Sequence, residues 1–185
     1  MLPCFSAQHY KSVPICPSRK SASMNSVDEA AVLRCAALGS AALRALLEPF
    51  GLRIVEVADG VEIPGSYWGD SEAGLIGATL YLRGDTPVHS ALHEACHWLC
   101  ADDARRAALH TNAGGDDVEE HAVCYLQCRL AEKLAGYSQA RCFADMDAWG
   151  YHFRLGSTAA WFADDADDAI AWLAQRWPGG MPVLS

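Results

Sequence analysis

His93, Glu94 and His97 stand in an HExxH pattern inside an apolar stretch of this 185-residue chain. Four residues is slightly more than one helical turn. On a helix both imidazoles therefore project from one face, close enough to share a metal ion. Glu94 lies beside them, where its carboxylate can take a proton from a water activated by that ion. Two histidines rarely hold a catalytic metal alone, so a third protein ligand is expected. The compact pattern HExxHxxGxxH is absent, because Cys100 and Asp103 occupy the positions that need Gly and His. The other arrangement places a glutamate on a following helix, and Glu119 and Glu120 stand near the start of one. Glu119 shares a helical face with Ala122, Val123, Leu126 and Leu130, so it is expected to point into the core. A buried carboxylate needs a partner, and a metal would be one. The expected ligand set is His93, His97 and Glu119. Glu120 lies roughly 100° further round and is expected to meet solvent. His110, His121 and Cys100 are weaker rivals, since a soft thiolate suits a closed structural site better than a catalytic one.

Other residues could complete such a site. Tyr151 and His152, in the segment Tyr151-His152-Phe153-Arg154, could donate to a developing oxyanion. His89 is placed to support the ligands rather than to be one. Tyr67 and Trp68 could line a pocket mouth. The acidic run from Asp164 to Asp168 lacks the central glycine and ligand spacing of a calcium loop and is expected to be a solvated helix start.

The elements that must position these residues follow from local pattern. Asp85, Thr86 and Pro87 predict a helix start, with Pro at the first helical position. Val88, Leu92, Ala95 and Leu99 then form an apolar stripe that predicts a helix to about Cys100. Asp116 or Asp117 is expected to cap a second helix running to Leu134, with Gly136 as its stop. Residues 27 to 47 predict a helix ending before Pro49. Leu52 to Val57 and Ala78 to Arg83 predict strands, the second offering an edge for an extended peptide. Ile63 to Gly77, rich in Gly and Pro, predicts an ordered loop. Asp164 to Trp177 predicts a last amphipathic helix. The expected fold class is α+β: a small mixed or antiparallel sheet packed on helices, one bearing HExxH and the next the glutamate.

The composition is that of one globular domain, 51% apolar and 20% charged. Residues 1 to 25 read as an aperiodic extension, with Met24 a possible start, and 26 to 185 as a single catalytic domain. The first 23 residues carry Lys11, Arg19 and Lys20 and no acid, which leaves 11 basic and 23 acidic residues, a net of −12, on the rest. Such a body repels phosphates, so no nucleic-acid partner is expected. No apolar run predicts a membrane span and no signal peptide is visible, so a cytoplasmic protein is expected. Cys96 and Cys100, and Cys124 and Cys128, are spaced four apart within helices. That is unlike the C-x2-C knuckles of zinc sites and fits small buried thiols.

This order of motifs resembles the gluzincin metallopeptidases, including small bacterial members that cleave repressors. HExxH followed by Glu119-x-x-Ala122 is similar to their ligand segments, over about residues 74 to 135. The resemblance implies Zn2+ held by His93, His97 and Glu119, with Glu94 as general base and a peptide or protein as substrate. A second, shorter stretch, Ser90 to Trp98 with Ala104-Arg105-Arg106, is similar to bacterial elongation factor P hydroxylase. That resemblance implies Fe2+ in place of Zn2+ and hydroxylation of a modified lysine. Two histidines and a carboxylate also describe the facial triad of non-haem iron oxygenases. A metal-stabilised binding protein without catalysis is the third expectation.

Overall fold

The structure is a computed structural model and describes residues 32–67 and 69–181. The N-terminal extension, Met24 and Trp68 lie outside the described residues. Helices α1 (Cys35–Leu38) and α2 (Ser40–Leu47) replace the single helix expected over this region. Gly39, at φ 84°, separates them. The split is set by a distant strand-like contact. Cys35 and Ala36 donate their amides to the Thr86 and Gly84 carbonyls at 2.8 Å each, which commits that turn to the later chain.

Strands β1 (Arg53–Glu56), β2 (Gly74–Ile76) and β3 (Thr79–Leu82) form one mixed sheet in the order β1-β3-β2. β1 runs parallel to β3 and β2 antiparallel to it. β3, expected at an edge, is therefore the central strand and offers no edge to a peptide. β2 arises inside the segment expected to be a loop. Gly74 permits it, because a Cβ there would overlap the Pro64 carbonyl. The outer side of β2 is also partly occupied. Gly77 donates to the Leu109 carbonyl at 2.8 Å, Thr111 donates to the Leu75 carbonyl at 3.0 Å, and Ile76 bridges to His110.

Helix α3 (Val88–Cys100) carries HExxH and packs on β2 and β3 on one side and on α5 (Asp117–Ala131) on the other. Val88, Ala91, Leu92, Ala95 and Cys96 are fully buried along it. Val88 and Leu92 each contribute about 1.5–3 kcal/mol of burial free energy, and the alanines about 1 kcal/mol or less. Thr86 does not cap the helix. Pro87 is the N-cap, Thr86 Oγ1 instead accepts from the Arg83 amide at 2.9 Å, and the first helical amide, of Val88, donates to the Leu33 carbonyl at 2.9 Å.

The far end of α3 is held by two guanidinium groups. Arg106, on α4 (Asp103–Ala108), donates to the Trp98 and Leu99 carbonyls at 2.9 Å each. Arg176, on α8 (Asp167–Arg176), donates to the Cys100 and Ala101 carbonyls at 3.1 Å each. Four carbonyls without partners inside the helix are thereby satisfied, and the cations complement the negative end of the helix dipole.

α5 opens as expected, with Asp116 accepting from the Glu119 amide at 2.9 Å, and it packs against α3, α6 (Gln139–Trp149) and α8. The last expected helix is α8, beginning three residues later than expected, and an unexpected helix α7 (Thr158–Asp164) precedes it. One continuous apolar cluster runs from Cys35 to Ala169 through sheet and helices. Among the described residues, no helix is long and apolar enough to cross a membrane. All six described cysteines are free and buried. Burial pushes the Cys100 thiol up to about 12 and the Cys96 and Cys128 thiols well above their ordinary value, as suits small apolar side chains.

Candidate metal centre

α3 and α5 bring three side chains to one point. His93 Nε2 and His97 Nε2 lie 3.1 Å apart. Glu120 Oε1 is 3.1 Å from His93 Nε2, and Glu120 Oε2 is 3.4 Å from His97 Nε2. Among the described residues, His93, His97 and Glu120 are the group whose ligand atoms all fall within 4.8 Å of one another, and the cysteines form no such group.

The carboxylate beside the imidazoles is thus Glu120, and the expectation for Glu119 is corrected. Glu119 is buried, as predicted, but its partner is a cation of the protein. Arg105 Nη1 lies 2.8 Å from Oε1 and 2.9 Å from Oε2, and Nη2 donates to the Ala113 carbonyl at 3.1 Å. Gly115 leaves room for this turn, since a Cβ there would overlap the Glu119 side chain. Glu120, one position on, faces α3. Its carboxylate is not solvated as expected; the side chain is only 20% exposed.

The donors fit a divalent cation. Two nitrogens and one carboxylate oxygen suit zinc or iron. Glu120 Oε1 is buried without an acceptable hydrogen bond although His93 Nε2 is near, the arrangement of atoms that converge on a common point. Without a metal, the cluster is held by charge. Burial opposes a charged His93, but the Glu120 carboxylate outweighs it and raises the imidazole well above its usual range. Burial likewise opposes ionised Glu120, yet His93 and then His97 draw its carboxyl down to about 2. Burial, with His93 beside it, depresses His97 to about 3, so that ring is neutral.

The cluster forms part of the wall of a cavity of about 150 Å³. Glu94, half-buried, lines it, together with Glu72, His89, Trp149, Tyr151 and the 111–114 segment. Burial, reinforced by the Glu120 and Glu72 charges against an opposing effect of His93, raises Glu94 to about 7. Tyr151 is buried, its ring centre 6.0 Å from that of His93. His152, proposed with it, is exposed and not in the cavity wall. Alternate residues of this extended segment face opposite ways, and Tyr151 and Phe153 take the inward places. Tyr67 is in the wall as expected. His110 is exposed beside β2 and His121 packs on Trp161, so neither joins the cluster. His89 is fully buried and packs edge-on against Trp149 and Tyr151.

Sequence reasoning ranked Glu120 below Glu119 and missed Gln127. A signal existed: Glu120, Cys124 and Gln127 recur at helical spacing, a polar stripe on a helix otherwise mostly apolar. No protein-family description, characterised protein or solved structure matches this chain.

Proposed function

We propose that this protein is a metal-dependent hydrolase of the HExxH-plus-Glu type, acting on an amide bond of a peptide or protein. The observation that carries this reading is the convergence of His93, His97 and Glu120 at the wall of a cavity that Glu94 also lines. His93, His97 and Glu120 would hold Zn2+, which when bound supplies a Lewis acid. Glu94 accepts the proton of the attacking water and returns it to the leaving nitrogen. Tyr151, in the same wall, is the candidate donor to the negative charge that develops on the carbonyl oxygen. Of the gluzincin resemblance, the HExxH segment supports the assignment, whereas Glu119-x-x-Ala122 does not, because Glu119 pairs with Arg105 and Glu120 faces the histidines.

A second reading is favoured by a specific observation. The outer edge of β2 is taken up by residues 109–111, and the cavity has room for a group about the size of a benzene ring. That suits one inserted side chain better than an extended peptide, and it fits an Fe2+-dependent hydroxylase using the same three ligands.

One experiment separates the two and tests both. Metal content is measured on protein purified without added metal. Peptide libraries are then incubated with zinc, or with iron, reductant and oxygen, and read by mass spectrometry. Peptide cleavage with zinc that falls by roughly 10²-fold or more in Glu94→Gln, at unchanged metal content, supports the hydrolase. Cleavage that survives in Glu94→Gln refutes the general-base role. Addition of one oxygen atom to a side chain, only with iron, moves the assignment to the hydroxylase.

A further inference from the structure

Gln127 is fully buried on α5, seven residues after Glu120 and on the same face. It makes two side-chain hydrogen bonds to α3. Its Nε2 donates to the His89 backbone carbonyl at 3.0 Å, and its Oε1 lies 3.1 Å from His93 Nδ1. The first bond orients the amide, because a carbonyl only accepts and must meet the NH2 end. The Gln127 oxygen therefore faces His93, and the ring nitrogen opposite it must carry the hydrogen. His93 Nδ1–H donates to Gln127, and Nε2 is the nitrogen that points at His97 and Glu120.

We propose that Gln127 is the positioning residue of this centre: it fixes the His93 tautomer and ring angle so that the Nε2 lone pair faces the metal. This rests on the metal-site reading above. Cys124, one turn before Gln127, also interacts with His93, but a thiol is a weak acceptor and does not dictate the tautomer as an amide oxygen does. The two histidines are unequal in this respect. His97 Nδ1 is buried with no hydrogen-bond partner, so the orientation of the pair is set through His93. Outer partners of this kind typically contribute 10–100-fold to metal affinity.

The test uses the full chain and zinc as probe, in competition with a chromophoric chelator, on wild type, Gln127→Met, Gln127→Glu and His97→Ala. Gln127→Met keeps length and bulk but removes both hydrogen bonds; its affinity should fall about 10–100-fold with a folded circular dichroism spectrum. Gln127→Glu restores the acceptor and should recover at least half of that loss on a logarithmic scale. A structural role alone would not give this rescue, since the carboxylate cannot donate to the His89 carbonyl. Nitrogen-15 NMR of the zinc-bound wild-type imidazoles reads the tautomer directly. A hydrogen on His93 Nδ1 is expected. A bare Nδ1, or wild-type affinity in Gln127→Met, overturns the proposal. If wild type binds zinc no better than His97→Ala, the metal reading itself has failed; wild-type affinity in Gln127→Met beside a weakened His97→Ala fails the positioning role alone.

Discussion

Replacing His89 with phenylalanine should flatten the acid side of the protein's stability curve. His89 is fully buried, both ring nitrogens lack hydrogen-bond partners, and Trp149 and Tyr151 pack against its ring. The charged groups that act on it are His93 on its own helix and Arg34 from the N-terminal segment, both cationic or able to be. Burial first, and those two groups next, lower its pKa from 6.5 to about 3. The folded pKa lies below the unfolded one, so as pH falls through 6.5 the unfolded chain takes up a proton that the folded protein refuses. Stability is then lost at about 1.4 kcal/mol per pH unit between those values. At pH 5 the loss from this group is about 2 kcal/mol, and near pH 8 it is negligible. His89→Phe removes the titration while keeping an aromatic ring between Trp149 and Tyr151. Misfit of the larger ring would cost about 1–3 kcal/mol at any pH, so the readout is the slope, not the level. Urea unfolding of wild type and variant at pH 8, 6, 5 and 4 gives the difference directly. His97 titrates in the same direction but is present in both proteins, so it cancels to first order. The variant should gain about 2 kcal/mol on wild type between pH 8 and pH 5. A difference constant across that interval would refute the account of a neutral, unsolvated His89.

Three further substitutions test the roles of buried carboxylates. Glu120→Gln should weaken zinc binding by more than about 100-fold, the upper end for loss of an outer partner, whereas Glu119→Gln should leave it within a few-fold; equal losses in a chelator competition would mean that both carboxylates serve the metal. Because Arg105 is 39% exposed, Glu119→Gln should cost only about 1 kcal/mol in denaturant unfolding. Asp145, on α6, accepts from Tyr137 Oη at 2.8 Å, Arg141 Nε at 2.6 Å and the Leu33 amide at 3.3 Å. Asp145→Ala leaves the buried Tyr137 hydroxyl with only the weakly bonding Cys142 thiol and should destabilise by about 3 kcal/mol, and a urea midpoint unchanged from wild type would show that this three-way tie carries no stability.

Local chemistry in the chain was enough to set the parts. The i,i+4 spacing of His93 and His97 places both imidazoles on one helical face whatever surrounds them. The apolar stripe of α3, the Asp116 cap of α5, the β-branched Ile54-Val55 of β1 and the Thr-Leu-Tyr-Leu run of β3 all act within a few residues, and the structure reproduces them. Tertiary packing decided which residues meet. An amphipathic stripe identifies an inward face only where the opposite face meets water. α5 is enclosed by α3, α6 and α8, so Glu119 and Glu120 both lie on inward-facing sides, and periodicity could not rank them. Arg105, brought back by α4, takes Glu119, and the face that α5 turns to α3 leaves Glu120 for the histidines. The same enclosure hides Gln127, whose two partners both lie on α3. β3 became central because β1 and β2 chose its two sides, and Thr86 lost its capping role to the Leu33 carbonyl. Strand order and helix pairing depend on contacts between residues far apart in the chain, and no local period encodes them.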